Sequence, residues 1–271
     1  MRHRITILAL VVCAVFATRC FEIEQTIDLK KDMSGTAGFK MGIDFEPMVV
    51  IMANMQHSMS GAKGVATKKE IDAAKADFLK QQKDKKKDPA EDPKKMKAEM
   101  NKSLPKGITL LDANVDEKEM SVTTMFHFAF DKLDHLVGVK LPSKKSAEGK
   151  GGGDPTEKNV IDQPFESLEV LDKGDTFTIR TKPQNPAESV KSETSKESPG
   201  KVDPEMEKMM KDAFKKMRVA YKITAPFTVV STNAMRREGN TLIWEYDYAT
   251  FEKMSKSGSK VPEGVTVTYK R

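Results

Sequence analysis

The sequence predicts an α+β fold: a largely antiparallel β-sheet of hairpins with helices packed on one face, an N-terminal signal segment and a lysine-rich helical insertion. Three observations predict it. Apolar and polar residues alternate at period two in paired runs separated by short polar turns, the pattern of hairpins half-buried against a core. Helix-start signals stand between groups of these runs instead of after every strand, which argues for segregated strands and helices rather than a parallel βαβ array. The 271 residues are 38% hydrophobic and 32% charged, enough for one core with polar stretches left over.

Each element follows from local chemistry. Arg2 and Arg4 precede an apolar run from Ile5 to Ala17, a basic n-region and short h-region that read as a secretory signal over 1–19. The run is too short for a comfortable membrane span, which needs about 20 apolar residues. Two processing outcomes and an uncleaved anchor stand open. Cys20 is a candidate lipidation site, with Arg19 where the processing enzyme prefers a small residue; cleavage after Ala17 gives a soluble exported chain instead. Residues 20–271 then form a single envelope domain. Phe21, Ile23, Ile27 and Leu29 alternate, the turn Lys30 to Gly35 follows, and Ala37, Phe39, Met41, Ile43 and Phe45 alternate again, a hairpin. Pro47 opens a helix with Met48, Met52, Met55 and Met59 on one face. Thr67-Lys68-Lys69-Glu70 is a capping box that starts a helix poor in apolar surface, and Asp92-Pro93 starts a shorter one ending before Pro105. A second strand pair spans 107–130, and a third lies at 165–172 and 175–181. The polar stretches 142–163 and 183–203 read as flexible loops. Asp203-Pro204 opens a helix to 217, with Met206, Met210, Phe214 and Met217 on one stripe. Strands at 219–225, 227–232, 242–248 and 264–269 close the chain, with a turn at 236–240 and Leu242, Trp244, Tyr246 and Tyr248 sharing a face.

Catalytic and metal signatures are absent from the sequence: it holds no Walker loop, no nucleophile elbow, no His-Glu-x-x-His and no dinucleotide fingerprint. His57, His127 and His135 have no ligand spacing and read as surface residues, so no catalytic residue, metal or cofactor is assigned. The methionine stripe has three readings. It packs its helix against the sheet, forms an adaptable apolar face for a lipid or partner, or binds a soft metal such as Cu(I). The formal charge of +6 is local, because residues 63–106 carry 14 lysines against 8 acids. That segment lacks arginine and has one aromatic, Phe78, which excludes the interleaved pattern of a nucleic-acid binder. Lys83, Lys85, Lys86 and Lys87 form its densest cluster and read either as a solvated arm or as a basic arm facing anionic headgroups.

Near the C-terminus, Tyr221-Lys222-Ile223-Thr224-Ala225-Pro226, Val229-Val230-Ser231-Thr232-Asn233-Ala234 and Glu238-Gly239-Asn240-Thr241-Leu242-Ile243-Trp244 follow one another. Together with Cys20 and Lys31-Asp32-Met33-Ser34-Gly35, they give the chain a pattern that resembles the LppM-type bacterial lipoprotein domain. The resemblance implies an exported envelope protein, lipid-anchored or membrane-associated, with an α+β domain that binds a lipid, glycolipid or protein partner and supplies no catalytic residues. The alternatives are a secreted or periplasmic structural protein without a small ligand, or a hydrolase whose site assembles in space.

Overall fold

The computed structural model describes residues 21–62, 64–85, 93–141, 163–181, 208, 211–212, 214–250, 253 and 264–271. The signal segment, Cys20, Lys86, Lys87, the loop 183–203, nearly all of 142–163 and half of the helix expected at 204–217, Met206 and Met210 included, lie outside the described residues.

The first hairpin forms as its alternation predicts. Strand β1 (Phe21–Leu29) pairs antiparallel with β2 (Gly35–Asp44), placing Ile27 opposite Ala37 and Gln25 opposite Phe39. Asp32 closes the turn by accepting hydrogen bonds from the Ser34 backbone N–H (3.0 Å) and hydroxyl (2.7 Å). Met33 holds a left-handed φ of 66° there. Gly35 is obligatory, since a Cβ at that position would stand 2.0 Å from the Asp28 carbonyl oxygen.

Helices α1 (Glu46–Met59) and α2 (Lys68–Lys85) follow as a hairpin, then α3 (Pro93–Ser103). The strands after them are β3 (Ile108–Lys118), β4 (Ser121–Phe130), β5 (Leu168–Asp172), β6 (Thr176–Thr181), β7 (Arg218–Thr224), β8 (Thr228–Thr232), β9 (Arg236–Glu238), β10 (Thr241–Asp247) and β11 (Thr266–Lys270). The fold is therefore α+β and mostly antiparallel. Its strands divide between two sheets, in the orders β3-β4-β2-β1-β7-β10-β9 and β5-β6-β11-β8. Among the described strands one pair, β1 with β7, is parallel.

The core lies between the sheets as one apolar cluster drawn from both. Trp244, Phe128 and Leu110 of the larger sheet and Phe177, Ile179 and Tyr269 of the smaller are fully buried. Phe165, just before β5, meets Phe128 edge-on at 6.4 Å. The smaller sheet thus covers most of the face that the sequence reading gives to helices. Among the described helices α3 reaches the core through Met100, and the 3-10 helix Leu133–Gly138 reaches it through Leu133 and Leu136. Helix α3 also shields the edge strand β3, because Asn101 accepts a hydrogen bond from the Leu110 N–H (2.8 Å) and Lys97 donates to the Leu111 carbonyl.

Two local expectations are corrected. Arg236–Glu238 is a strand paired with Thr241–Ile243, so the turn shrinks to Gly239-Asn240, with Gly239 at φ 60°. Tyr248 leaves the strand, which ends at Asp247, and stacks on Phe214 at 6.3 Å.

Candidate functional site

The methionine stripe faces solvent. At about 100° per residue, Met48, Met52, Met55 and Met59 fall within an arc of roughly 60°. They are 49%, 52%, 47% and 84% exposed. The buried residues of α1 are Val49, Ala53 and Asn54, on the opposite side. That side meets α2: Phe45 packs on Phe78 at 5.4 Å, Glu46 pairs with Lys75, and the Ala66 N–H donates to Asn54 Oδ1 at 2.7 Å. His57 Nδ1 lies 3.0 Å from Glu70, which also closes the capping box by accepting from the Thr67 N–H and hydroxyl at 2.7 Å. The reading of the stripe as packing against a sheet is overturned. Small residues let α2 approach one side of α1, and the long thioethers are left on the other. His57, read from sequence as a surface residue, sits in this contact with its side chain only 11% exposed.

The outward face of α1 carries no charge. The helix contains one acid, Glu46, which is paired with Lys75, and its one titratable base is His57, which faces α2.

The lysines do not join this face. On α2, Ile71, Ala74, Lys75 and Phe78 are half-buried toward α1, whereas Lys69, Lys80 and Lys83 are exposed and project away from it. One flat surface therefore cannot meet the methionines and Lys83 together. Lys86, Lys87 and the side chain of Lys85 are outside the described residues. The lysine-rich insertion is not a free arm in its described parts, because α2 packs on α1 and α3 on β3.

Strand register fixes where the hairpin emerges. Phe21, which follows Cys20 in the chain, is opposite Ile43, and Asp44 is opposite Ser121. Phe45 then donates its N–H to Met120 at 2.8 Å, and α1 begins at Glu46. The start of β1 and the root of the α1–α2 hairpin share one end of the larger sheet.

Behind that end, the outer face of the sheet carries a charge ladder that sequence reading missed. Arg218 on β7 meets Glu22 at 2.9 Å, Glu24 at 3.1 Å and Glu245. Lys40 reaches Glu22 at 2.9 Å, Lys222 reaches Glu24 at 2.9 Å, and Arg236 reaches Glu245 at 3.4 Å. The sign alternates from strand to strand, from Lys40 on β2 to Arg236 on β9. Burial would raise the Glu24 carboxyl, but Lys222 and Arg218 outweigh it and hold the group below the ordinary glutamate range.

The clear shifts among the described residues all run away from neutrality. Hydrogen bonds from His57 and Thr67 bring Glu70 down to about 2, and Arg271 with the Gly174 backbone does the same for Asp172. Burial pushes Tyr221 and Tyr269 up to about 12. None of these four is poised as a general acid or base near pH 7. His135 is paired with Asp131 at 2.7 Å, and His127 is exposed on the outer sheet face, as its strand position predicts. No group of three or more His, Cys, Asp or Glu among the described residues could hold a metal ion. No described helix is long and apolar enough to cross a membrane.

The Asn233 to Trp244 motif has a structural role. Trp244 Nε1 donates to Asn233 Oδ1 at 2.7 Å, and the Thr266 N–H donates to the same oxygen at 2.9 Å. Asn233 Nδ2 donates to the Gly264 carbonyl at 2.9 Å. The sequence reading joins the strands at 227–232 and 242–248 by a turn at 236–240. Instead residues 233–235 carry the chain from β8 in one sheet to β9 in the other, and Asn233 ties the two sheets together.

No family model matches the sequence, and no curated protein does. Among solved structures the chain is similar to the folded domain of LppM from Mycobacterium tuberculosis, determined by NMR. The identity is 10% and the TM-score 0.39, over 94% of this chain and 92% of that one. A likeness that slight bears on neither function nor site residues.

Proposed function

We propose that this is an exported bacterial envelope protein, lipidated at Cys20, whose non-catalytic α+β domain rests on the membrane through the methionine face of α1. The observation that carries the reading is the shared sheet end. An acyl chain on Cys20 would be attached one residue before Phe21, whose partner Ile43 lies three residues before α1. The tether and the exposed apolar face would then meet the same surface.

The chemistry of the face favours a lipid interface. Its outward residues bury no charge when they enter the headgroup boundary, and thioethers adapt to an irregular surface. Half-exposed methionines contribute about 1 kcal/mol each on burial, so four give roughly 4 to 5 kcal/mol before the entropic cost of association. Contact of that strength is weak and reversible. Stable attachment takes two signals, and a lipid on Cys20 supplies the second. The lysines on the far side of the hairpin are left facing away from the bilayer.

Two measurements test this. Radiolabelled palmitate should enter the wild type and not Cys20→Ser; equal labelling of both removes the tether. Residues 20–271 carrying Cys20→Ser should cosediment with vesicles of phosphatidylethanolamine and phosphatidylglycerol. Binding should fall several-fold when Met52 and Met59 become glutamine and hold when Lys83, Lys85, Lys86 and Lys87 are neutralised. The reverse outcome would move the membrane contact to the lysines.

A further inference from the structure

We propose that the four thioethers of α1 form an oxidation site, through which a hydroperoxide loosens the protein from the membrane without unfolding it. The proposal rests on the docking reading above and adds its regulation. Methionine sulfur is oxidised where an oxidant can reach it, and the methionines of α1 are exposed where the core methionine is not. Met48, Met52, Met55 and Met59 are 47% to 84% exposed, against 3% for Met100 in the core. Met33 and Met41 are half-buried against the same core.

The step is a two-electron oxygen transfer. A sulfur lone pair attacks one oxygen of hydrogen peroxide, the O–O bond breaks, and the sulfoxide S–O bond forms. The second oxygen leaves as water after taking up the proton released from the first. Sulfur is oxidised and the peroxide reduced, with no other reactant needed. Peroxide is uncharged, and the outward face of α1 offers no charge to order or exclude it.

Placement turns this general reaction into a switch. The four side chains supply most of the outward apolar surface of α1, so their sulfoxides would convert the docking face from apolar to polar as a unit. None of the four belongs to the core between the sheets, and the contact of α1 with α2 is made by Val49, Ala53 and Asn54 on the other side. Membrane contact and folding are therefore held by different faces of the same helix. Met235, 53% exposed beside β9 and away from α1, is a built-in control whose oxidation should not matter.

The test uses residues 20–271 with Cys20→Ser and the vesicles named above. Limited hydrogen peroxide should add one oxygen to each of Met48, Met52, Met55 and Met59 before Met100, as read by peptide mass mapping. It should weaken vesicle binding by about tenfold while leaving circular dichroism unchanged. Replacing all four by leucine should give a chain that binds with or without peroxide, and Met235→Leu should respond like the parent. Binding by the parent that is indifferent to peroxide overturns the switch and spares the docking reading. Loss of binding by the leucine variant after peroxide also overturns it, since the sensitive group would lie elsewhere. Failure of the untreated parent to bind overturns the docking reading itself.

Discussion

Replacing Asn233 by alanine should loosen the joint between the two sheets. Asn233 is exposed, but its side chain makes three hydrogen bonds, to Trp244 Nε1, the Thr266 N–H and the Gly264 carbonyl. Trp244 is fully buried, so its indole N–H would lose that partner away from solvent, at a cost of about 1 to 3 kcal/mol. Water can reach the Thr266 and Gly264 groups more easily, and those two bonds together account for about 1 kcal/mol. The expected loss is about 3 kcal/mol, which at a urea m-value near 3 kcal/mol per M moves the midpoint down by about 1 M. Trp244 is the one tryptophan of the chain, so its fluorescence follows unfolding directly. A double-mutant cycle isolates the mechanism. In a Trp244→Phe background, read by circular dichroism, Asn233→Ala should cost at least about 1 kcal/mol less than in the parent, because the indole donor is already gone. A loss below about 0.5 kcal/mol in the parent, or full additivity in the cycle, would refute the claim that Asn233 joins the sheets through the indole.

Further substitutions probe the rest of the frame. Arg218→Met leaves Glu22, Glu24 and Glu245 facing one another without their shared cation and should cost about 3 kcal/mol, against at most about 0.5 kcal/mol for the exposed Arg236→Ala. The same variant should alter the acid limb of stability. Glu24 titrates below its ordinary 4.5 in the folded chain, so its contribution is present above that pH and lost as the pH falls through the folded value. Urea midpoints between pH 7 and pH 3 should therefore fall less steeply for Arg218→Met than for the parent, and an identical slope would count against the ladder. Gly35→Ala should lose about 3 kcal/mol or fail to fold, because its Cβ would meet the Asp28 carbonyl oxygen at 2.0 Å. Gly42→Ala, whose nearest neighbour would be Thr123 Oγ1 at 3.6 Å, should stay within about 1 kcal/mol, both variants being compared by thermal melting. Thr67→Ala removes the hydroxyl half of the capping box and should cost about 1 kcal/mol, seen as faster amide hydrogen exchange confined to the first turns of α2.

Elements fixed by neighbours in the chain were legible in the sequence. The β1–β2 hairpin, the capping box of α2 and the start of α3 each depend on residues within a few positions of one another, and each stands where its local signal puts it. Pairings across long separations were not. Nothing in Phe21–Leu29 indicates that its second neighbour is a parallel strand 196 residues on from Glu22, although Glu22 and Glu24 on the polar side of the strand do signal a demand for cations. Division into two sheets was equally hidden, because a strand buried on one face alternates in the same way whichever sheet holds it. Strand β9 is three exposed residues long and has no periodicity to read.

The methionine stripe shows the limit most sharply, because periodicity states which residues share a face and not which way that face points. Four methionines outweigh Val49, Ala53 and Asn54 in apolar volume, so a count of hydrophobicity turns α1 the wrong way round. Approach distance decides instead. A partner helix seats closely on Val and Ala, and Asn54 adds a hydrogen bond to the Ala66 backbone that a methionine could not make. Glu46 and His57 point the same way, toward Lys75 and Glu70 on α2. Polar residues on a mostly apolar helix thus mark its packed side, since each has a specific partner there. The face left without one is the apolar face, which is why α1 combines a packed inner contact with an exposed apolar outer surface.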